Sequence, residues 1–199
     1  MAAKLRNAQW DTSPVRHQNK TITYIYRRIA SGGWEPWTVI APSALLRRVG
    51  IESLGLYAAR PFKRDDYVGV YPMNEIVGRY ASREEALLAP EARKRLMSGR
   101  DKLITVRAQG GGVLLLDGES GGGAEVQRAN DPRGTSLRPN AVITEGGYLR
   151  VTNARVPAFH LDKSVDDNIG SELRISYGDD FWALQDVLGT SREFAIQVD

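Results

Sequence analysis

Histidine occurs twice in these 199 residues, at His17 and His160, and cysteine not at all. That removes a thiolate nucleophile, a disulfide, an iron–sulfur cluster and a thiolate zinc site. Two distant histidines with scattered carboxylates match no metal-ligand spacing, and they leave a Ser-His-Asp triad little to draw on. The runs Gly110-Gly111-Gly112, Gly121-Gly122-Gly123 and Gly146-Gly147 follow no Gly-x-Gly-x-x-Gly pattern. They read as hairpin and loop punctuation rather than phosphate cradles. Arg27-Arg28, Arg47-Arg48 and Arg93-Lys94-Arg95 read as solvated faces, with contact to an acidic polymer as the functional alternative. What remains for chemistry is a set of tyrosines in short apolar segments and a polar, Gly-rich stretch over residues 117–140. A loop of about 20 residues inside a compact domain is usually functional or disordered.

The elements that must position these groups are mostly short strands. Residues 21–29 alternate Ile22, Tyr24 and Tyr26 against Thr21, Thr23 and Ile25 and read as a strand. Residues 1–20 lack periodicity and contain Pro14, so an irregular lead-in is expected there. Residues 54–59 and 67–71 are short apolar runs, parted by Pro61 and a Lys63-Arg64-Asp65-Asp66 turn. Residues 103–108, 113–116, 141–144, 148–152, 155–160 and 172–177 add further β-like runs. Residues 82–97 are the clearest helix. Ser82 with Glu85 forms a capping box, Glu84 and Glu85 suit the N-terminal dipole, and Arg93, Lys94 and Arg95 suit the C-terminal end. Pro90 kinks or splits it. A short helix is expected over residues 181–188. The fold class is therefore mainly β with short helices, an α+β arrangement with no βαβ rhythm.

Lys and Arg number 27 against 24 Asp and Glu, a net charge of +3. Such a mild excess does not by itself assign a nucleic-acid partner. No apolar run approaches the roughly 18 residues of a membrane span, and residues 1–10 contain no signal-peptide apolar core. An intracellular location, nucleus or cytoplasm, and no membrane partner are expected.

Three segments in order carry a resemblance. The first is Gly50-Ile51-Glu52-Ser53-Leu54-Gly55-Leu56-Tyr57-Ala58-Ala59-Arg60, followed by Tyr67-Val68-Gly69-Val70-Tyr71 and Glu75-Ile76-Val77. The second contains Arg128-Ala129-Asn130-Asp131 and closes on Pro139-Asn140-Ala141. The third runs Ala154-Arg155-Val156-Pro157-Ala158-Phe159 and then Gly170-Ser171-Glu172-Leu173-Arg174-Ile175-Ser176-Tyr177-Gly178. This succession resembles the SET domain of protein lysine methyltransferases over residues 45–183. The family's corresponding motifs are a Gly-x-Gly-Leu-Phe-Ala-like turn, an Asn-His-Ser loop ending in Pro-Asn, and a Gly-Glu-Glu-Leu-Thr-x-x-Tyr-Gly strand. This chain departs from them at Ser53, at Asp131 in the place of histidine, by an insertion between Asn130 and Pro139, and by one extra residue between Tyr71 and Glu75.

The resemblance implies a SET-like arrangement of small sheets around a long functional loop. Residues 1–44 would be an N-terminal extension with a strand, 78–102 a variable insert within the domain, and 184–199 a C-terminal tail. It implies S-adenosylmethionine as cofactor, a lysine-bearing protein substrate and no metal. Tyr177 would orient the lysine amine and the reacting methyl, and Tyr71 would line the lysine channel. Ser53, Leu54 and Gly55 would offer backbone groups to the cofactor. Asn130 would bond its amino-acid end, Asp131 would lie near the adenine, Arg128 would meet its carboxylate, and Trp182 or Phe181 would stack on the adenine. Two other readings stay open: a SET-like module that binds protein without catalysis, and an unrelated β-rich nucleic-acid-binding protein.

Overall fold

A computed structural model describes residues 10–17, 20–71, 75–97, 103–117, 126–144 and 147–177. The protein is mainly β, with several small antiparallel sheets and short helices only. Strands β1 (Trp10–His17), β2 (Lys20–Arg28), β3 (Trp34–Pro42) and β4 (Leu54–Ala58) form one four-stranded sheet in that order. The expected irregular lead-in is thus a strand from Trp10 onward. It is an edge strand held by an eight-residue backbone register with β2. Such a strand needs no burial alternation and tolerates Pro14, which removes only one donor.

Residues of β4 alternate between two cores. Leu56 and Ala58 enter the main cluster with Phe62, Val68, Leu149, Val151 and Leu173. Tyr57 enters a second cluster with Ile22, Val39, Ala41 and Phe159. Burial on both faces explains why this segment reads as a continuous apolar run. Between β3 and β4 sits α1 (Ala44–Arg47), capped by Ser43.

Strands β5 (Phe62–Lys63) and β6 (Tyr67–Val70) follow the turn at Asp65, whose φ of 67° is the left-handed conformation a tight turn demands. β7 (Glu75–Tyr80), β8 (Leu103–Arg107) and β9 (Val113–Asp117) make a three-stranded sheet with β9 in the middle. The β8–β9 hairpin turns through Gly110, Gly111 and Gly112, all at positive φ. The expected long helix is two, α2 (Arg83–Leu88) and α3 (Pro90–Met97). Ala89 between them has ψ 143°, the extended backbone that a following proline imposes. Ser82 Oγ accepts from Glu85 N at 3.1 Å, and Glu85 reaches back to Ala81 N at 2.9 Å. The capping box therefore closes one residue further out than the simple pattern predicts. Ala86, Leu87, Ala92, Leu103 and Leu115 give this unit its own apolar core.

Strand β10 (Ala141–Ile143) pairs with β11 (Tyr148–Val151), β11 pairs with β6, and β12 (Arg155–Val156) pairs with β5. The strand expected over 155–160 is therefore cut to two residues, ending before Pro157. Residues 172–177 do not form a regular strand either. They make single bridges to two different segments, Tyr57↔Glu172 and Asn130↔Arg174. A segment that changes partner after two residues cannot build a ladder, although its apolar alternation looks like one. The helix expected at 181–188 lies outside the described residues.

Candidate functional site

The bridging segment 172–177 runs between β4 and the loop after the 3₁₀ turn Val126–Arg128. Leu173 N donates to Leu56 O at 2.7 Å on one side, and Ile175 N donates to Asn130 O at 3.0 Å on the other. Asn140 grips the same backbone with its amide: Nδ2 donates to Glu172 O at 2.9 Å, and Oδ1 accepts from Arg174 N at 2.7 Å. Three stretches separated by more than 30 residues each thus meet at one place.

At its centre is the fully buried carboxylate of Glu172. Ser43 Oγ donates to Oε1 at 2.6 Å, Leu45 N to Oε2 at 2.9 Å, and Asn130 Nδ2 to Oε1 at 3.3 Å. Burial pushes this carboxyl above the usual glutamate range, and the donors partly oppose that shift by favouring the ionised form. Beside it Tyr57 OH donates to Pro42 O at 2.7 Å and accepts from Ala44 N at 2.8 Å. Burial, and then the charge of Glu172, push the Tyr57 phenol far upward. The first N–H groups of α1, on Ala44, Leu45 and Leu46, are all met by side chains: Tyr57, Glu172 and Ser43. A four-residue helix has no other way to satisfy them inside a core.

The sequence-predicted residues distribute around this cluster. Gly55 lies in β4, where a Cβ would overlap Glu172 Oε1 and press on Ser43 Cα at 3.2 Å. The glycine is required by a side chain of the protein itself, which is a different cause from the close ligand approach expected of it. Leu54 O accepts from Asn130 Nδ2 at 3.0 Å, and Ser53 O accepts from Ser43 N at 2.8 Å. Those two carbonyls are already engaged within the chain. Asn130 spends its amide donors on Leu54 and Glu172, which leaves Oδ1 as the atom it can turn to a ligand. Arg128 is half-buried two residues away. Gln127 is buried, and its Nε2 has no partner among the described residues.

Tyr177 is held at all three of its polar groups. Its N–H donates to Asp131 Oδ2 at 2.6 Å, its hydroxyl donates to Ala129 O at 3.2 Å, and its carbonyl accepts from Arg83 Nη2. Asp131 Oδ1 also accepts from Arg133 N at 2.8 Å, so its carboxylate staples the loop to the bridging segment. The ring of Tyr177 packs against both the main core and the core of the β7–β9 unit. Tyr71 is 95% buried in the main core. Trp182 and Phe181 lie outside the described residues.

Sequence reasoning missed Glu172, Ser43 and Tyr57. Alternation puts Glu172 on the face opposite Leu173 and Ile175, so no local signal marked it as buried. No Gly-x-Ser-x-Gly elbow is expected from the sequence reading, yet Gly118-Glu119-Ser120-Gly121-Gly122 does spell that pattern; it lies outside the described residues. An elbow needs a helix directly after its serine, and the three glycines there are poor helix formers.

Among the described residues no group of three or more His, Asp and Glu is placed to hold a metal ion, and no helix is long and apolar enough to cross a membrane. In what it can do chemically, the junction offers an oriented phenol, an amide oxygen, a half-buried guanidinium and an unsatisfied buried amide nitrogen. That set suits an amino-acid-like ligand with an ammonium and a carboxylate. Comparison with known proteins adds no relative: no family model matches the chain, and no curated protein matches its sequence.

Proposed function

We propose that this chain is an S-adenosylmethionine-dependent protein-lysine methyltransferase, built as a SET-like arrangement of small sheets around the 126–140 loop. The observation that carries the reading is the fixing of Tyr177 at its N–H, carbonyl and hydroxyl beside Asn130, on a segment threaded between β4 and that loop. Those are the three segments whose motifs resemble the family. A tyrosine locked this way presents its phenol oxygen in one place, which is what orienting an amine requires.

The residues at the junction fit the cofactor's amino-acid end. Asn130 Oδ1 accepts from its ammonium, Arg128 meets its carboxylate, and Gln127 Nε2 supplies a donor that has no partner among the described residues. The cofactor supplies an electrophilic methyl on a sulfonium. The protein's task is to receive lysine as the neutral amine and hold it in line. The apolar surroundings of Tyr71 and Tyr177 disfavour the charged ammonium and so lower the lysine pKa. Tyr177 Oη then orients the amine. Residues 178–199 and the substrate groove they would complete are part of the proposal only through the resemblance.

A second reading has its own observation. Asp131 stands in the place of the family's histidine, and its carboxylate is spent on Tyr177 N and Arg133 N. A SET-like module that binds a protein partner without catalysis would need such a staple equally.

Titration calorimetry with S-adenosylmethionine and its demethylated product separates the two. Binding in the low- to mid-micromolar range, about 7–8 kcal/mol, supports the enzyme; no heat at millimolar ligand on folded protein defeats it. Labelled methyl transfer to a protein extract follows. Tyr177→Phe should cut turnover about a hundredfold with cofactor affinity kept, and turnover should rise with pH as the bound lysine loses its proton.

A further inference from the structure

A second group of residues combines positive charge with aromatic rings. Arg27 lies over Trp37 at 4.6 Å and over Tyr67 at 5.5 Å, and Arg60 lies over the same Trp37 ring at 4.5 Å. Two guanidiniums share one indole, and Arg60 is ion-paired to Glu35 at 3.6 Å and to Asp66 at 3.8 Å. Next to Arg27 in β2, Arg28 is exposed and pairs in register with Trp34, which is 49% exposed. Tyr67 packs edge-on to Tyr148 at 6.0 Å and pairs in register with Arg150, which donates to Asp65 O at 2.9 Å. The strip continues through exposed Arg64, which donates to Thr152 O at 3.1 Å, to Lys63 and Arg155. Those last two are both exposed and stand directly opposite each other in the two-residue β5–β12 ladder. Like charges opposite one another in a ladder are destabilising.

The strip holds seven basic and three acidic residues, a surplus of four, while the whole chain has a net charge of +3. We propose that the strip binds single-stranded nucleic acid. Arg60, stacked on Trp37, turns its Nη atoms to Glu35 and Asp66, so the exposed Arg28, Lys63, Arg64 and Arg155 are the cations that offer N–H groups to phosphate oxygens. Trp34, Tyr67 and Tyr148 between the cations supply faces on which bases stack, which an acidic polypeptide would not use. The described helices have four, six and eight residues, short for a helix that reads a duplex groove. This proposal is independent of the methyltransferase reading.

The test is fluorescence anisotropy of the full chain with labelled U20 and dT20, with the duplex of dT20 and dA20 as a comparison. Binding of either single strand is expected at about 1–10 μM in 0.1 M salt, tighter than the duplex. The log–log salt slope should be about −3, as four to five neutralised phosphates give on single strands. No binding at 100 μM, or a slope near zero, overturns the proposal. Preference between U20 and dT20 identifies which polymer is the better ligand. Arg28→Glu/Lys63→Glu/Arg155→Glu should weaken binding at least tenfold, whereas Arg93→Glu/Lys94→Glu on α3 should leave it unchanged; equal losses in both defeat the strip as the site. Should the triple variant melt early, Lys63→Gln/Arg155→Gln relieves the like-charge pair, keeps the fold and should still lose about threefold. Trp34→Ala should lose about fivefold with the salt slope unchanged. Displacement by polyglutamate as effective as by U20 at equal charge would assign the strip to acidic polypeptides instead and overturn the nucleic-acid proposal.

Discussion

The β7–β9 unit with α2 and α3 and the junction around Glu172 are held together by opposite means. The unit is contained within residues 75–117, and its core is alanine and leucine packed between neighbouring elements. Its main polar tie is Arg95 to the buried Asp117. The junction joins residues 43–57, 130–140 and 172–177, and its interior is a carboxylate, a phenol, two amides and a hydroxyl. Apolar packing tolerates imperfect shape at graded cost. A buried polar network does not, because each lost partner leaves another group unsatisfied. The two regions should therefore fail differently.

The largest effect is expected at Glu172. Glu172→Ala leaves Leu45 N–H, the Ser43 hydroxyl and one Asn130 N–H facing a cavity, and about 3–5 kcal/mol of stability should be lost in a urea melt. Glu172→Gln is more informative. Because burial raises the folded-state pKa, the folded protein binds a proton that the unfolded chain releases. Stability from this group is complete below pH 4.5 and is lost as pH rises through the raised value. Wild type should thus lose stability over that window, whereas the Gln variant, with no proton to bind, should not. Parallel pH profiles would show that Glu172 titrates alike in both states.

Leu115→Ala in the core of the β7–β9 unit should cost about 3 kcal/mol, with no pH dependence, as expected for a cavity. A pH-dependent loss would mean that the unit's stability runs through Asp117 instead.

This contrast also explains what could be read from the sequence. The cap at Ser82, the break at Pro90 and the glycine turn at 110–112 are each decided by residues within a few positions, so their types declare them. The mainly β character was legible for the same reason. The junction was legible only as three motifs in order. Nothing local to Gly55 says that Glu172 will lie against it 117 residues later, and the apolar alternation of 172–177 looks like a strand because each side of it is buried by a different partner. β1 was missed because an edge strand is ordered by its backbone pairing with β2 rather than by a burial pattern.

Tyr177 lies on the seam between the two regions, so Asp131→Ala tests their coupling. It removes the acceptor of Tyr177 N–H and of Arg133 N–H, and about 1–2 kcal/mol should be lost. Near-ultraviolet circular dichroism should lose tyrosine signal before the far-ultraviolet spectrum changes. Simultaneous loss of both would make the staple part of the global fold.

The smallest effect belongs to Ser82→Ala. Ser82 is exposed, and its hydroxyl accepts from Glu85 N, so removing it should cost about 1 kcal/mol. Glu85 keeps its bond to Ala81 N, which restrains the first turn and holds the loss toward the low end. Its value lies in where the loss is felt. Arg83 is the first residue of α2 and donates to Tyr177 O. A frayed α2 therefore releases one of the three ties on Tyr177 without touching the other two. Native-state hydrogen exchange reads this directly: the amides of Ala86 and Leu87 should exchange roughly fivefold faster, while those of Leu173 and Ile175, bonded to Leu56 and Asn130, should not change. Faster exchange at Leu173 and Ile175 as well would mean that helix, seam and junction open as one cooperative unit, with the Arg83 bond as their link.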